Sequence, residues 1–331
     1  MQYRNLGRSG LMISPLCLGT WNFGDSTPAA VAEAMVHRAI DAGINIIDTA
    51  DVYADGECER ILGRALAGSP RDRVILVTKA HYPTSPDPND RGNSRRHLLR
   101  AAEDSLRRLG TDWIDIYLVH RPDLELPQEE SLRALDDLVR QGKVRYIGCS
   151  TYPAWLVMEA LALSERLGLE RFIVEEPPYN LLDRRIENEL VPLALRYGMG
   201  LLTWAPLAAG QLAGRYTDPG RPPADSKAAR IEYVAERISE RGIDAARRLA
   251  LIARGLDMSA SQLALLWAKD RPGVSAPIIG PRTMAHLEEA LPVLDMVLDA
   301  GTESALDAIV PPGSAVADFH NTSGWMRMRL V

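Results

Sequence analysis

Eight short apolar, β-branched runs, each separated from the next by a segment of helical periodicity, leave this chain few folds to choose from. The runs fall at 15–19 (PLCLG), 44–49 (INIIDT), 74–79 (VILVTK), 114–119 (IDIYLV), 144–149 (VRYIGC), 172–176 (FIVEE), 200–204 (GLLTW) and 275–279 (SAPII). Strands so continuously apolar are buried on both faces, a property of parallel sheets. Between them, stretches near 28–42, 57–68, 93–109, 129–141, 153–167, 186–197, 236–254 and 282–297 set Leu, Ala and Val at helical spacing, one helix to cover each strand. Strict βα alternation admits a doubly wound sheet or a closed barrel. A doubly wound dinucleotide-binding sheet needs G-x-G-x-x-G after an early strand, and none is present. The fold class is therefore α/β, a single (β/α)8 TIM barrel, and 331 residues suit one such domain.

The ends carry extra pieces. Residues 1–14 read as a β-hairpin around Gly7-Arg8-Ser9-Gly10 that closes the bottom of the barrel, residues 15–297 as the barrel, and 298–331 as a C-terminal helix and tail. That tail, with Phe319 and Trp325 and little periodicity, gives extended C-terminal loops and an irregular cap. The segment 207–235 is too long for an ordinary βα connection and reads as a mobile functional loop.

Composition removes several functions. A hydrophobic content of 46% beside 25% charged residues supports a full core. A formal charge of −6 lacks the basic excess that nucleic-acid binding needs, so Arg95-Arg96 and Arg107-Arg108 read as solvated helix faces. Cys17, Cys58 and Cys149 show no C-x-x-C spacing and the six histidines no H-x-H, so neither a metal nor a disulfide framework is expected. With no apolar leader and no run of about 18 apolar residues, the expectation is a cytoplasmic protein without membrane or nucleic-acid partners.

In a parallel barrel, chemistry sits at the C-terminal ends of the strands. Strand two ends in Asp48 with Tyr53 five residues later, strand three in Lys79, strand four in His120. Singly, each has a plain explanation: Asp caps and turns, Lys and His are solvated, Tyr packs. Together they are the parts needed to reduce a carbonyl. Hydride addition makes an alkoxide, which requires a proton donor and positive potential where charge develops. Tyr53 is the donor, Lys79 lowers its pKa, Asp48 orients the ammonium, and His120 hydrogen-bonds the substrate oxygen. Glu175 and Glu176 invite a glycosidase reading, but adjacent strand residues point to opposite faces, so they make a poor dyad.

The surroundings of the four residues, DAGINIIDTADVYADGECERILGRAL (41–66), VTKA (77–80), YLVHRPD (117–123) and IGCST (147–151), resemble the aldo-keto reductase superfamily. So do PPYNLLDRRIENELVPLALRYGMGLLTWAPLAAGQLAGRY (177–216) and IIGPRTMAHLEEAL (278–291). The resemblance spans nearly the whole chain and puts the family's catalytic Asp, Tyr, Lys and His on Asp48, Tyr53, Lys79 and His120. It implies an NADP-dependent carbonyl reductase (alcohol dehydrogenase type) that uses NADPH, with NADH an alternative, on a small-molecule carbonyl substrate. The nicotinamide would be held by Ser150, Thr151, Glu176 and Trp204, with Thr20, Trp21 and Asp48 beside it. Thr151 stands where the family has Asn and Glu176 where it has Gln; a carboxylate accepts from a carboxamide but loses the amide's donor and adds charge.

For the rest of the cofactor, the resemblance implies contacts from Ala205, Pro206, Leu207, Gly210, Leu212 and Arg215 in a loop over the pyrophosphate. At the last helix it implies Gly280, Arg282, His286 and Glu289, with Arg282 facing a 2′-phosphate; the usual Gln and Asn appear as His286 and Ala290. Trp21, Phe23, Tyr82, Arg121 and Trp325 are the expected substrate-pocket wall. The segments RGNSRRHLLRAAEDSLRRL and WAPLAAGQLAGRY lie near the branch containing potassium-channel β subunits and bacterial relatives. That branch implies an alternative, a cofactor-binding regulatory or redox-sensor protein with little turnover. Oligomeric state, monomer or homo-oligomer, is left open.

Overall fold

Two short strands, β1 (Arg4–Asn5) and β2 (Met12–Ile13), pair antiparallel before the barrel begins. The computed structural model describes residues 1–67 and 71–320. Eight parallel strands follow: β3 (Cys17–Gly19), β4 (Ile46–Asp48), β5 (Ile75–Ala80), β6 (Ile114–Val119), β7 (Val144–Ser150), β8 (Phe172–Glu176), β9 (Gly200–Thr203) and β10 (Val274–Ile279). They close in chain order, with β10 pairing back onto β3 through Ile278 opposite Cys17. The fold is the expected (β/α)8 barrel, and every expected strand is present with its ends within about two residues.

The barrel interior is filled by Cys17, Ile46, Val77, Ile116, Leu118, Val174, Leu202, Ala276 and Ile278, and the hairpin adds Leu6 and Ile13 from below. The hairpin sits so close that a Cβ on Gly7 would stand 2.5 Å from the Gly198 carbonyl oxygen; its φ of +55° also favours glycine. The barrel bottom is thus plugged with hydrocarbon, leaving the C-terminal mouth as its open end.

Helices α1 (Ala29–Asp41), α2 (Glu57–Leu66), α3 (Arg95–Leu109), α4 (Gln128–Arg140), α5 (Ala154–Leu167) and α6 (Leu190–Tyr197) each follow a strand and turn an apolar face inward. The connection after β9 carries the short α7 (Glu232–Ala235), then α8 (Glu240–Gly255) and α9 (Ala260–Lys269); α10 (Met284–Ala290) and α11 (Ala300–Asp307) follow β10. The sequence reading has no helix over 260–269. Its signal was present: Ser259 and Gln262 form a capping box, each side chain accepting from the other's backbone N–H. The expected helix over 282–297 ends at Ala290 and continues as a 3-10 turn, Leu291–Leu294, because Pro292 supplies no N–H to an α-helical ladder. The segment 207–235 is organised by two 3-10 turns, Ala208–Gly210 and Lys227–Ala229, before α7. Among the described residues no single helix is long and apolar enough to cross a membrane.

Candidate active site

Asp48 is the last residue of β4, and the chain after it stays zipped to β5, with Thr49 N–H donating to the Val77 carbonyl at 2.9 Å and Asp51 N–H to the Lys79 carbonyl at 3.1 Å. Tyr53 then opens a 3-10 turn, Tyr53–Gly56, in which Ala54 and Asp55 hold φ of 47° and 53°. Two successive non-glycine residues in the left-handed region cost on the order of 1–3 kcal/mol each. That strain is spent on a reversal that sends the tyrosine over the mouth and starts α2.

Lys79, on β5, is fully buried. Its Nζ lies 2.5 Å from Asp48 Oδ1, 2.8 Å from the Thr49 carbonyl oxygen and 3.4 Å from Glu176 Oε1, and 5.2 Å from the centre of the Tyr53 ring. Burial lowers the lysine's proton affinity, but Asp48 and Glu176 outweigh it and hold the side chain charged. Of the two carboxylates sharing this ammonium, Asp48 takes the short ion pair. Burial and the neighbouring Asp48 push Glu176 well above the usual carboxylate range, against the pull of Lys79. A carboxyl that holds its proton keeps a donor and adds no charge, as a Gln side chain does. Glu175 faces the other way, accepting from Tyr152 N–H at 3.0 Å, so the two glutamates are separated by the strand as the alternation requires.

Burial drives the Tyr53 phenol well above the ordinary phenolic range; Lys79 lowers it, while Asp48 and Glu176 raise it. The lysine therefore acts in the expected direction but does not set the net shift. His120 follows β6, tied by its N–H to the Ala80 carbonyl, and its ring meets Tyr53 edge-on at 5.8 Å and Tyr82 at 5.0 Å. Burial, then Arg121 and Lys79, hold its pKa well below the usual imidazole value, so His120 is neutral and a donor without charge.

Ser150 and Thr151 leave β7 beside them. Ser150 Oγ donates to the Glu176 carbonyl at 3.0 Å, and Thr151 N–H to the same oxygen at 3.2 Å. Thr151 sits at φ 57°, a conformation Asn tolerates far better than a β-branched residue. Thr20 Oγ1, His120 Nδ1 and Trp204 Nε1 are buried and have no hydrogen-bond partner among the described residues. All three follow barrel strands, so polar atoms converge on the mouth with capacity for a polar ligand, which suits a nicotinamide carboxamide and a substrate oxygen.

The long connection folds back across β3. Lys227 Nζ lies 3.0 Å from the centre of the Trp21 ring, and burial pulls the lysine down to about 7. Farther out, Arg215 pairs with Asp225 at 2.5 Å, while Arg282 donates to the Asp225 carbonyl at 2.9 Å and stands 3.6 Å from its carboxylate. Two guanidinium groups thus share one exposed carboxylate, geometry a phosphate also satisfies. Ala205 holds φ 57° and Gly210 φ 95°, which bend the backbone of 205–210 at the rim.

Other expected site residues are placed elsewhere. Phe23 is fully buried in the core against α1 and α2 and does not wall the mouth; its carbonyl accepts from Cys58 Sγ instead. Leu212 is likewise core. Glu289 accepts from Ser259 Oγ at 2.6 Å and joins α10 to the start of α9. His286 is exposed, its Nδ1 accepting from Arg282 N–H at 3.4 Å. Pro206, Leu207 and Gly280 line the strand exits, and Trp325 lies outside the described residues.

Sequence reasoning missed a buried polar brace under Tyr53. Glu59 on α2 accepts from Thr78 Oγ1 and Arg108 Nε, each at 2.6 Å, joining the helix after the tyrosine to the residue before Lys79. Beside it, burial and Glu59 push Asp51 up to about 8. A carboxyl raised on folding stabilises fully below its unfolded value near 4, and that stability drains as pH rises toward 8. Asp51→Asn keeps the volume and removes the titration. Its melting temperature is expected to gain on the wild type progressively from pH 4 to pH 8 in differential scanning calorimetry; a constant difference would remove Asp51 as the cause.

A parallel barrel with a buried ammonium, a phenol and an imidazole gathered at its C-terminal mouth has the arrangement expected from the sequence. The family comparison agrees: residues 15–311 match the model of the Aldo/keto reductase family. A "Probable voltage-gated potassium channel subunit beta" of Oryza sativa subsp. japonica is 40% identical over 90% of this chain and 92% of its own length. Its counterpart in Arabidopsis thaliana is 37% identical with the same coverage. An "Uncharacterized oxidoreductase YrpG" of Bacillus subtilis (strain 168) is 36% identical over 97% of this chain and 99% of its own. The chain belongs to the aldo/keto reductase family and is an oxidoreductase, of a family that generally works with nicotinamide cofactors.

Proposed function

We infer that this protein reduces aldehydes or ketones to alcohols with NADPH, Tyr53 giving the proton. The observation that carries the reading is the Lys79 ammonium, locked 2.5 Å from Asp48 and 5.2 Å from the Tyr53 ring, in a mouth where His120 is neutral. A bound nicotinamide nucleotide supplies the hydride. Ser150, Thr151 and Glu176 hold its carboxamide, and Trp204 stacks on its ring. His120 donates a hydrogen bond to the substrate oxygen and fixes its position. Tyr53 keeps its proton at neutral pH and releases it to the alkoxide, a far stronger base than a phenolate. Lys79 stabilises the phenolate left behind, and Asp48 keeps the ammonium in place. Three buried free thiols, Cys17, Cys58 and Cys149, suit the reducing conditions of the cytoplasm.

The choice of NADPH rests on Arg215 and Arg282, which converge on the Asp225 carboxylate where a 2′-phosphate would take its place. A charge-assisted pair contributes about 1.5–3 kcal/mol. Arg282→Ala is therefore expected to weaken NADPH binding by about 10- to 100-fold while leaving the NADH Kd within twofold in fluorescence titration. Equal losses for both nucleotides would remove the phosphate assignment.

The function itself is tested by following NADPH absorbance with purified protein and a carbonyl panel. Aldehyde-dependent oxidation supports the reductase. Tight NADPH binding with no turnover in either direction favours the second reading, a cofactor-loaded regulatory or sensor protein, which draws support from the two relatives named as channel β subunits.

A further inference from the structure

Two neighbouring residues of β5 reach the Tyr53 turn from opposite faces of the strand. Lys79 points into the barrel, where it meets Asp48 beside the tyrosine ring; Thr78, by the alternation of a strand, points outward to α2. There Thr78 Oγ1 donates to Glu59 Oε1 at 2.6 Å, and the other oxygen of Glu59, Oε2, accepts from Arg108 Nε at 2.6 Å. Thr78 and Glu59 are fully buried. Arg108 comes from the last turn of α3, where its Nη2 also donates to Ser105 Oγ at 3.2 Å. Its stem lies directly on the turn, since a Cβ added to Gly56 would stand 2.8 Å from Arg108 Cδ. One carboxylate thus ties together α2, β5 and α3.

The turn needs outside support. Ala54, Asp55 and Gly56 hold φ of 47°, 53° and 83° in succession. Its own hydrogen bonds are long, with Tyr53 N–H donating to the Ala50 carbonyl at 3.2 Å and Asp55 N–H to the Val52 carbonyl at 3.3 Å. Gly56, at the start of α2, has no side chain with which to cap the helix. Conformations of this kind persist only where the surroundings over-determine them. Apolar packing is non-directional and leaves a helix free to slide or turn by small amounts. Two short hydrogen bonds to one buried carboxylate are directional. They set the register of α2 on β5, and with it the distance from the Tyr53 ring to Lys79.

We propose that Glu59, gripped by Thr78 and Arg108, is a positioning residue for proton transfer, fixing the turn that carries Tyr53 relative to Lys79. The proposal rests on the reductase reading for its catalytic consequence. Glu59 lies outside the barrel wall and acts on the reaction only through Tyr53.

Two substitutions at one position separate the hydrogen bond from the packing. Thr78→Val keeps the shape and deletes the hydroxyl; Thr78→Ser deletes a methyl and keeps the hydroxyl. With NADPH and an aromatic aldehyde, Thr78→Val is expected to lower kcat by about 10- to 100-fold, the loss that a small misplacement of a reacting group brings. The NADPH Kd and the aldehyde KM should stay within about twofold, and Thr78→Ser should keep most of the activity. The reverse order of the two variants would assign the position to packing and overturn the proposal. Glu59→Gln, which keeps the shape and breaks the ion pair with Arg108, is expected to follow Thr78→Val and serves in its place if that variant does not fold in a thermal melt. In a Tyr53→Phe background, either substitution should change the single-turnover rate by less than about twofold, because the group it positions is gone; the same loss in both backgrounds also overturns the proposal. If the wild type turns over no carbonyl, the reductase reading falls, and amide hydrogen exchange decides the brace. Exchange at residues 53–57 that is faster in Thr78→Val than in wild type and Thr78→Ser sustains it; identical exchange in all three ends it.

Discussion

Tyr53→Phe is expected to lower kcat by about a thousandfold, inside the range a positioned proton donor contributes, with the NADPH Kd unchanged. The ring that packs edge-on against His120 and lies over Lys79 is retained, so the loss is confined to one oxygen and its proton. Because burial keeps the phenol protonated well past neutral pH, the wild-type reduction rate should stay flat from pH 6 to pH 8. A variant that keeps a tenth or more of wild-type kcat would show that the proton comes from elsewhere.

Lys79→Met is expected to have the largest effect on the fold as well as abolishing turnover. Removing the ammonium leaves two carboxyls buried with no cation between them, and breaking a buried pair costs about 3–5 kcal/mol. The pH dependence carries the diagnosis. Burial raises Asp48 and Glu176 above their unfolded values, and Lys79 opposes that in both. Without it both rise further. Groups raised on folding stabilise below their unfolded pKa, near 4, and lose that stability as pH increases through the folded value. The variant's melting temperature should therefore fall relative to wild type from pH 5 to pH 8, and Asp48→Asn in the same chain should restore part of it. A gap that does not change with pH would place the damage in packing rather than charge.

Much of this was legible because a parallel barrel leaves a simple signature. Each strand is buried on both faces, so eight apolar runs mark eight strands, and the polar residue ending each run marks the mouth. Asp48, Lys79 and His120 were readable for that reason, and Tyr53 from its spacing after Asp48. Local signals fail where a side chain's role depends on what distant chain brings to it. Glu176 reads as an added charge in sequence, and only its burial in the fold and the adjoining Asp48, 128 positions earlier in the numbering, raise its pKa. Phe23 reads as a pocket aromatic but is claimed by the packing of α1 and α2. The Ser259–Gln262 capping box was in plain sight, yet a single expected helix over 236–254 stood for the two that pack there.

The central claim is that the four residues at the mouth transfer a proton to a reduced carbonyl. Its most direct test is a single turnover in which NADPH-loaded protein is mixed with an aromatic aldehyde and quenched, counting alcohol formed against NADPH consumed. Wild type is expected to yield one alcohol per NADPH oxidised, and Tyr53→Phe, equally loaded, almost none on the same timescale. Wild-type protein whose bound NADPH stays reduced before every carbonyl offered, or a phenylalanine variant that reduces as fast, would contradict the account.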